Sequence, residues 1–248
     1  MGTAVVTGAS SGLGRELAEL LASRGEHVVA VARSADAIAE LASTSSRIQG
    51  IVADLSTTQG RDELARAVDV VDILVNNAGF GVAGRLADAS REATDRMVEV
   101  NVAALTDLTA RWLPGMVARG AGRIVNVAST AAFQPGPMMA VYYATKAYVL
   151  SFTEGIAEEL RGTGVTATAF CPGPFTSGFQ EVAGIEGSRL VKGRLPSSKD
   201  MANACIAAMD RGVVVAVPGV LNRAGSIAPR FAPRVLVRRM VHKIQSDF

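Results

Sequence analysis

The hydrophobic residues of this chain follow two periods that alternate almost from end to end. Short apolar runs of strand length lie at residues 3–7, 27–32, 48–52, 72–75, 122–128, 165–170 and 213–217. Between them, apolar positions recur at helical spacing over residues 15–22, 34–42, 58–67, 90–113, 142–160 and 199–210. Strands that are apolar on both faces and separated by helices indicate a parallel sheet covered on both sides. We therefore predict an α/β fold, a doubly wound Rossmann-type parallel sheet of about seven strands flanked by helices, in a single domain over residues 1–248.

Composition and charge narrow the class of protein further. Nearly half of the residues are apolar, at 49%, and the formal net charge of +2 gives no argument for a nucleic-acid partner. The two cysteines, Cys171 and Cys205, lie far apart and do not form a disulfide framework. The first residues enter a strand directly, and no apolar stretch is long enough to span a bilayer. We expect a cytoplasmic protein.

A glycine-rich turn, Gly8-Ala9-Ser10-Ser11-Gly12-Leu13-Gly14, joins the first strand to the first helix. Glycines let a backbone approach a pyrophosphate closely, and the N-terminus of a helix offers free N–H groups to it. The spacing is Gly-x-x-x-Gly-x-Gly, and such a turn can also be purely structural. By itself, the turn predicts an anion-binding site only weakly.

The most informative side chains are Tyr142 and Lys146, which are four residues apart and therefore share one face of a helix. A phenol has an ordinary pKa of about 10, and a fixed cation beside it is expected to lower that pKa toward neutrality. Ser129 lies thirteen residues before Tyr142 at the end of a predicted strand. Open α/β sheets bind ligands at that edge, so we expect the three side chains to meet there.

Together with Asn76-Asn77-Ala78-Gly79, Asn101 and Pro172-Gly173, these motifs resemble the short-chain dehydrogenase/reductase family from residue 3 to about residue 176. The resemblance implies hydride transfer between a nicotinamide cofactor and a carbonyl or secondary alcohol. It assigns the catalytic roles to Asn101, Ser129, Tyr142 and Lys146. The cofactor-binding positions that it implies are Gly8, Ser10, Ser11, Gly12, Leu13, Gly14, Arg33, Asp54, Leu55, Asn77, Ala78, Gly79, Tyr142, Lys146, Pro172, Gly173 and Thr176.

The roles that the resemblance implies are specific. Tyr142 would donate a proton to the developing alkoxide, and Ser129 would hydrogen-bond the same oxygen. Lys146 would hold the nicotinamide ribose, Asn101 would hold a water in the proton path, and the Thr176 hydroxyl would contact the nicotinamide carboxamide. A helix-surface position remains the alternative for Asn101.

The end of the second strand bears on which dinucleotide is bound. An acidic residue there would bind the ribose 2′-hydroxyl of NAD, whereas Arg33 suits the 2′-phosphate of NADP. Asp36 is expected in the first turn of the next helix, where the helix dipole favours it. Ser11 occupies a position where NADP-using relatives often carry a second basic residue. We predict NADP(H) in preference to NAD(H), with Arg33 as a plain surface cation as the alternative.

Two further positions keep alternatives open. Asp54 follows the third strand and would contact adenine, or it would cap the next helix as its N-cap residue. Asn77 would lie beside the adenosine, or it would belong to an ordinary turn.

The substrate region is predicted to be apolar. The loop at residues 175–198 is long enough to cover a substrate. The expected substrate is a hydrophobic carbonyl or alcohol, and the resemblance implies a homodimer or homotetramer. The apolar residues that cluster in sequence around the catalytic elements are Phe133, Pro135, Pro137, Met138, Met139, Phe175 and Phe179; core packing explains some of them equally well.

The C-terminal tail, residues 218–248, has the pattern of a basic amphipathic helix. Arg230, Arg234 and Arg238 recur every four residues. An apolar stripe contains Val237, Met240, Val241 and Ile244. Such a helix packs on its own domain or a neighbouring subunit, or it contacts anionic lipid or an acidic carrier protein.

Two other functions compete with this interpretation. Gly8-x-Ser10-x-Gly12 also fits the nucleophile elbow of a hydrolase, with His242 later in the chain, but that elbow needs several preceding strands and here only one precedes it. The second alternative is a non-catalytic NADP(H)-sensing or scaffold protein on the same fold. Neither the histidines nor the cysteines have partners at metal-ligand spacing, so no metal site is predicted.

Overall fold

The computed structural model describes residues 2–185 and 195–245. Its strands form one parallel sheet in the order β3-β2-β1-β4-β5-β6-β7, which confirms the predicted fold class and its seven strands. The strands are β1 Thr3–Thr7, β2 His27–Ala32, β3 Ile48–Val52, β4 Ile73–Asn76, β5 Gly122–Val127, β6 Val165–Phe170 and β7 Val215–Ala216. The chain reverses its direction across the sheet between β1 and β4, and ligands of such sheets bind at that switch point.

Helices cover both faces of the sheet. The helices are α1 Gly12–Ser23, α2 Ala35–Ser43, α3 Thr58–Ala67, α4 Arg91–Val98, α5 Leu105–Arg119, α6 Ala140–Glu159, α7 Phe179–Ala183, α8 Ser198–Asp210, α9 Val220–Ile227 and α10 Arg234–Gln245. Neighbouring residues of a strand face opposite sides. Val6 of β1 accordingly packs in a core with Leu17 of α1 and Ile206 of α8. Val5 packs in the other core with Trp112 of α5.

Three predicted elements differ from the structure. The single helix predicted over residues 90–113 is divided into α4 and α5 by a π-helical turn, Glu99–Ala104. The strand predicted over residues 213–217 is only two residues long, because it lies at the sheet edge and pairs with β6 alone. Of the loop predicted to cover the substrate, residues 186–194 lie outside the described residues.

Within the part of the chain that the structure describes, no helix combines the length and the apolar character needed to cross a membrane.

Candidate active site

A cavity of about 970 Å³ opens at the carboxyl ends of the central strands. It is lined by the glycine turn, by the ends of β2 to β5 and by the first turns of α6. Every predicted site residue except Asn101 and Thr176 lies on its wall. Residues that are distant in sequence are therefore brought into one concave site.

The glycine turn has a shape that other residues could not adopt. Gly8 and Gly12 have φ of +67° and +54°, in the left-handed region that favours glycine. A Cβ on Gly14 would overlap the carbonyl oxygen of Gly8. Ser11, the N-cap residue of α1, makes no capping bond with its side chain, so the first N–H groups of α1 have no side-chain acceptor from the cap. The result is a smooth backbone cradle at a helix N-terminus.

Thr7, which the sequence analysis did not assign to the site, connects the glycine turn to the end of β4. Its hydroxyl donates to the carbonyl oxygen of Val75 at 3.3 Å and accepts from the amides of Asn77 and Ala78, each at 3.0 Å. The Asn77 side-chain amide donates back to the carbonyl oxygens of Thr7 and Gly8, at 2.9 and 3.1 Å. Asn77 therefore links two walls of the cavity, and the sequence near Thr7 carried no signal for these distant partners.

The end of β2 presents an exposed cation to the cavity. Arg33 and Ser34 both line it, and the Ser34 hydroxyl makes no capping bond to α2. Among the described residues, Arg33 has no carboxylate within ion-pair distance. Asp36 lies in the first turn of α2, as expected, and is not part of the cavity wall.

Asp54 lines the cavity, and the prediction that it caps α3 is wrong. The cap is Thr57, whose hydroxyl accepts from the amide of Gly60 at 3.0 Å. The Asp54 carboxylate accepts from the amide and the hydroxyl of Ser56, at 3.0 and 2.7 Å, and pairs with Arg96 at 2.9 Å. Burial opposes its ionisation, but these hydrogen bonds and Arg96 outweigh burial and hold the pKa of Asp54 below its ordinary value.

Asn101 is buried in the π-helical turn, so the alternative of a helix-surface position is wrong. Its side-chain oxygen accepts from the amide of Phe80 at 3.1 Å. Its amide donates to the carbonyl oxygen of Phe80 at 2.9 Å and to the hydroxyl of Thr145 at 3.0 Å. These bonds connect the loop after β4 to the helix that carries Tyr142, and they leave no amide hydrogen of Asn101 for a water.

Tyr142 and Ser129 face each other across the end of β5. Ser129 caps the turn Thr130–Phe133, and its oxygen accepts from the amide of Ala131 at 3.1 Å, which leaves its own hydrogen free to be donated. Burial raises the pKa of the Tyr142 phenol above its ordinary value, and hydrogen bonding to Ser129 opposes that rise without cancelling it. The lowered pKa predicted from sequence is therefore wrong in sign for the protein alone.

Lys146 is buried one helical turn after Tyr142. Its ammonium donates to the carbonyl oxygen of Val127 at 2.7 Å and lies 5.8 Å from the centroid of the Tyr142 ring. Burial lowers the pKa of Lys146 to about 8, against a smaller opposing effect of Cys171. The lysine is therefore still mostly protonated at neutral pH but loses its proton well below the ordinary pKa of a lysine.

The cavity wall beside Tyr142 is apolar. The Phe179 ring packs on Tyr142 with centroids 5.3 Å apart, and a Cβ on Gly81 would come within 3.1 Å of both rings. Of the residues predicted for this wall, Met139, Phe175 and Phe179 line the cavity, whereas Phe133, Pro135, Pro137 and Met138 do not. Phe133 packs instead against a neighbouring core. The additional apolar lining comes from Phe80, Val182 and Ile185.

Thr176 does not reach the cavity. Its amide donates to the carbonyl oxygen of Pro196 at 2.9 Å, and its own carbonyl accepts from the Ser198 hydroxyl at 2.8 Å. Ser177, the next residue, lines the cavity.

The competing sites do not assemble. In the described part of the chain, Ser10 makes no hydrogen bond to a histidine, and His242 is exposed on α10. Across the same residues, no cluster of three or more His, Cys, Asp or Glu side chains could hold a metal ion.

Comparisons with known proteins bear on this site. The family model described as short chain dehydrogenase matches residues 2–185. An uncharacterized oxidoreductase of Staphylococcus epidermidis is 35% identical over 184 residues, which cover 71% of this chain and 80% of the relative.

Solved structures match over more of the chain. A short-chain dehydrogenase from Sphingobium yanoikuyae in complex with NADPH superimposes with a TM-score of 0.83 at 29% identity, covering 100% of this chain and 96% of that one. A 3-ketoacyl-(acyl-carrier-protein) reductase from Brucella melitensis complexed with NADH superimposes with a TM-score of 0.79 at 30% identity, covering 87% and 94%.

Proposed function

The chain belongs to the short-chain dehydrogenase/reductase family, and we propose that it transfers a hydride between NADP(H) and the carbonyl or secondary alcohol of a hydrophobic small molecule. The observation that carries this proposal is the convergence of Ser129, Tyr142 and Lys146 with the glycine turn on one cavity. Tyr142 is the proposed acid and base.

The residues of the cavity fit a dinucleotide. The glycines hold the backbone of the turn in place on the cavity wall, since a Cβ on Gly8 would come within 2.8 Å of the Cα of Ala78, and a Cβ on Gly14 would overlap the turn itself. The N-terminus of α1 points its free N–H groups at the same space. When bound, the nicotinamide supplies or accepts the hydride. The two solved relatives, with NADPH and NADH respectively, support a nicotinamide cofactor in this cavity.

The preference for NADP(H) rests on Arg33 and Ser34 at the end of β2. Both residues face the cavity. Among the described residues, the Arg33 guanidinium has no carboxylate at ion-pair distance, and the Ser34 hydroxyl makes no capping bond to α2. A guanidinium and a hydroxyl are donors suited to a 2′-phosphate. Asp54, the carboxylate whose pKa Arg33 helps to lower, is already bound by Ser56 and Arg96.

Replacing Arg33 with Ala tests this preference. A hydrogen bond to a charged group contributes about 1.5–3 kcal/mol, so Arg33→Ala should weaken NADPH binding by roughly 10- to 100-fold and leave NADH binding unchanged. Titrations that follow protein fluorescence with each dinucleotide measure both constants, and Arg47→Ala, an exposed arginine of the β2–β3 region, is the matched control. An equal loss of affinity for both dinucleotides, or no loss of affinity, would show that Arg33 is a plain surface cation.

The chain's own groups then handle the proton. The buried Tyr142 phenol keeps its hydrogen at neutral pH and donates it to the oxygen that becomes an alkoxide. The free hydroxyl hydrogen of Ser129 is available to the same oxygen. Lys146 places a cation beneath the Tyr142 ring, which favours the phenolate that remains after donation. In alcohol oxidation the same groups act in reverse, with Tyr142 as base.

The decisive experiment is Tyr142→Phe, tested with a panel of carbonyls and alcohols and followed by nicotinamide absorbance. Turnover should fall by about 10²- to 10⁴-fold or more, the range of general acid catalysis, while NADPH binding persists. Tyr148→Phe is the matched control, since Tyr148 lies on α6 and stacks on Phe152 away from the cavity. Unchanged turnover in Tyr142→Phe would remove the assignment. NADPH binding by the wild-type protein without turnover of any panel member would favour the sensor or scaffold alternative.

Several predictions from sequence are kept as proposals. The apolar cavity wall around Phe179 supports a hydrophobic substrate. Several residues between 175 and 185 line the cavity, which supports a substrate-covering role for the loop at residues 175–198. A cytoplasmic location is supported by two buried free thiols, Cys171 and Cys205. A homodimer or homotetramer is supported by exposed apolar side chains on α4 and α6, Val98 and Tyr148.

A further inference from the structure

The inner face of the C-terminal tail is fixed to the wall of the active site. Helix α10 buries Val237, Val241 and Gln245, which are spaced four residues apart. The side-chain amide of Gln245 donates to the hydroxyl of Tyr143, the residue next to Tyr142. On α9, the amide of Asn222 packs so closely on Gly173 that a Cβ there would lie 2.5 Å from it. The tail is therefore packed on the domain and bonded to it.

The outer face of the same tail, meaning its solvent-exposed side chains, contains several large apolar residues. Val220, Leu221 and Phe231 are 86%, 88% and 85% exposed. It is unusual for three large apolar side chains so close in sequence to be exposed to this extent. On α10, Leu236 and Met240 are 55% and 64% exposed. Leu236, Met240 and Ile244 are spaced four residues apart and form an exposed stripe along α10, next to the buried stripe of Val237 and Val241. The stripe predicted from sequence is therefore divided, because Val237 and Val241 are buried whereas Met240 and Ile244 are exposed.

Cations accompany this apolar surface, and the described part of the tail, residues 218–245, contains no Asp or Glu. The whole tail, residues 218–248, contains six Lys and Arg and one Asp, so it carries 6 − 1 = +5 while the rest of the chain carries +2 − 5 = −3. Arg234, Arg238 and Arg239 are exposed on α10, and within the described residues none of them has a carboxylate at ion-pair distance. A two-fold contact between two copies would set these cations against each other.

We propose that the outer face of α9 and α10 docks the protein on an anionic lipid surface. A helix with an exposed apolar stripe beside Lys and Arg lies in the plane of a membrane, with its apolar side chains at the boundary of the acyl chains and its cations among the phosphates. Leu236, Met240 and Phe231 supply the apolar contacts, and the unpaired arginines select for negative charge. The tail lies beyond residue 185, where the family model ends, so docking is additional to the catalysis proposed for the site.

Vesicle flotation with the full-length protein tests the proposal. The probes are vesicles of phosphatidylcholine alone and of phosphatidylcholine with about one third phosphatidylglycerol, the anionic fraction being large enough for a strongly negative surface. The wild-type protein should float with the anionic vesicles only. Raising the salt from about 0.1 M to about 1 M shortens the Debye length from about 10 to about 3 Å and should release much of it. Each cation near the surface contributes roughly a fivefold factor, so the triple variant Arg234→Gln, Arg238→Gln and Arg239→Gln should lower the partition coefficient on the order of a hundredfold.

A matched control removes three exposed arginines elsewhere, in the variant Arg66→Gln, Arg91→Gln and Arg161→Gln. It has the same formal net charge as the tail variant, so a difference between the two reports the position of the charge. A second tail variant, Leu236→Gln with Met240→Gln, tests the apolar contribution and should also lose binding. Thermal melts and turnover of a water-soluble ketone without vesicles check that all variants are folded, and they separate this proposal from the proposed enzyme activity.

Three outcomes would overturn the proposal. The first is equal flotation of the tail variant and its charge-matched control. The second is binding to neutral vesicles as strong as to anionic ones. The third is an absence of flotation of the wild-type protein with anionic vesicles. A dimer that Leu236→Gln and Met240→Gln disrupt, or binding to an acidic carrier protein, would then assign the surface to a protein partner.

Discussion

The contribution of Lys146 to the stability of the ligand-free protein should increase as the pH rises from about 8 to about 10, because Lys146 is buried. In the unfolded chain, this ammonium has its ordinary pKa of 10.5, whereas burial in the folded protein lowers the pKa to about 8. The free energy of unfolding of the wild-type protein and of the variant Lys146→Met is compared as the pH changes.

The direction in which the free energy of unfolding changes with pH follows from proton linkage. Between pH 8 and pH 10.5, the unfolded chain holds a proton at Lys146 that the folded protein has released. The free energy of unfolding therefore increases with pH in this window, at about 1.4 kcal/mol per pH unit for one proton. Below the folded pKa of about 8, both states are protonated, and the stabilisation is absent. Over the two units from pH 8 to pH 10, the gain amounts to roughly 2.5 kcal/mol.

Other buried groups act in the opposite direction. Burial raises the pKa of the Cys171 and Cys205 thiols to about 12, and that of the Tyr143 phenol to about 12. Unfolding exposes these acids, so they lower the stability of the fold as the pH rises above their ordinary values. The wild-type curve alone is thus a sum, and the contribution of Lys146 is the difference between the wild-type protein and Lys146→Met.

Urea denaturation at intervals from pH 7 to pH 10, with linear extrapolation to water, gives the free energy of unfolding at each pH. The difference between wild-type and Lys146→Met should grow by roughly 2.5 kcal/mol in favour of the wild-type protein between pH 8 and pH 10. Lys199→Met removes an exposed lysine on α8 and should give a curve parallel to the wild-type curve. A difference for Lys146→Met that stays constant across this range would refute the desolvation argument.

Five further substitutions probe the packing around the site and along α6. Gly14→Ala places a methyl group on the backbone of the glycine turn, and isothermal titration should detect no NADPH binding. Gly136→Ala sets a methyl group into the Tyr143 ring and should cost about 1–3 kcal/mol of stability in thermal melts, whereas Gly155→Ala, in open space on α6, should gain up to about 1 kcal/mol. Tyr143→Phe and Gln245→Leu should each lower the free energy of unfolding by about 1–3 kcal/mol, because each leaves a buried polar partner without a hydrogen bond. The double variant should recover most of that loss, and additive losses would contradict the pairing.

Sequence patterns predict this fold well because the deciding signals are local. A run of apolar residues followed by helical spacing defines each unit, and the handedness of the crossovers leaves few ways to arrange the units. The glycine turn is largely local, since Gly14 is required by its close approach to the Gly8 carbonyl oxygen and Gly8 by its own positive φ. Thr7 was missed because its hydroxyl bonds to Asn77 and Ala78, about seventy residues away in sequence, and nothing near Thr7 indicates those partners.

The π-helical turn at Asn101 shows the same limit. Periodicity predicted one helix, but the turn is held by bonds from Asn101 to Phe80 and Thr145, which are 21 and 44 residues away. The division of the tail stripe has a similar cause. Val237 and Met240 look alike in an apolar pattern, and only the surface on which α10 packs decides that the first is buried and the second is exposed.

The electrostatics of the catalytic pair depend most on the folded structure. Spacing placed Tyr142 and Lys146 on one helical face, and Coulomb attraction alone would then lower the phenol pKa. Both groups are instead almost fully enclosed, and burial disfavours the charged form of each, which raises the pKa of the phenol and lowers that of the ammonium. The first proton that the pair loses as the pH rises therefore comes from Lys146, and Tyr142 keeps its hydrogen. A neutral phenol is the form that the proposed proton donation needs, and burial, which the sequence does not reveal, keeps Tyr142 in that form up to a higher pH than an exposed tyrosine.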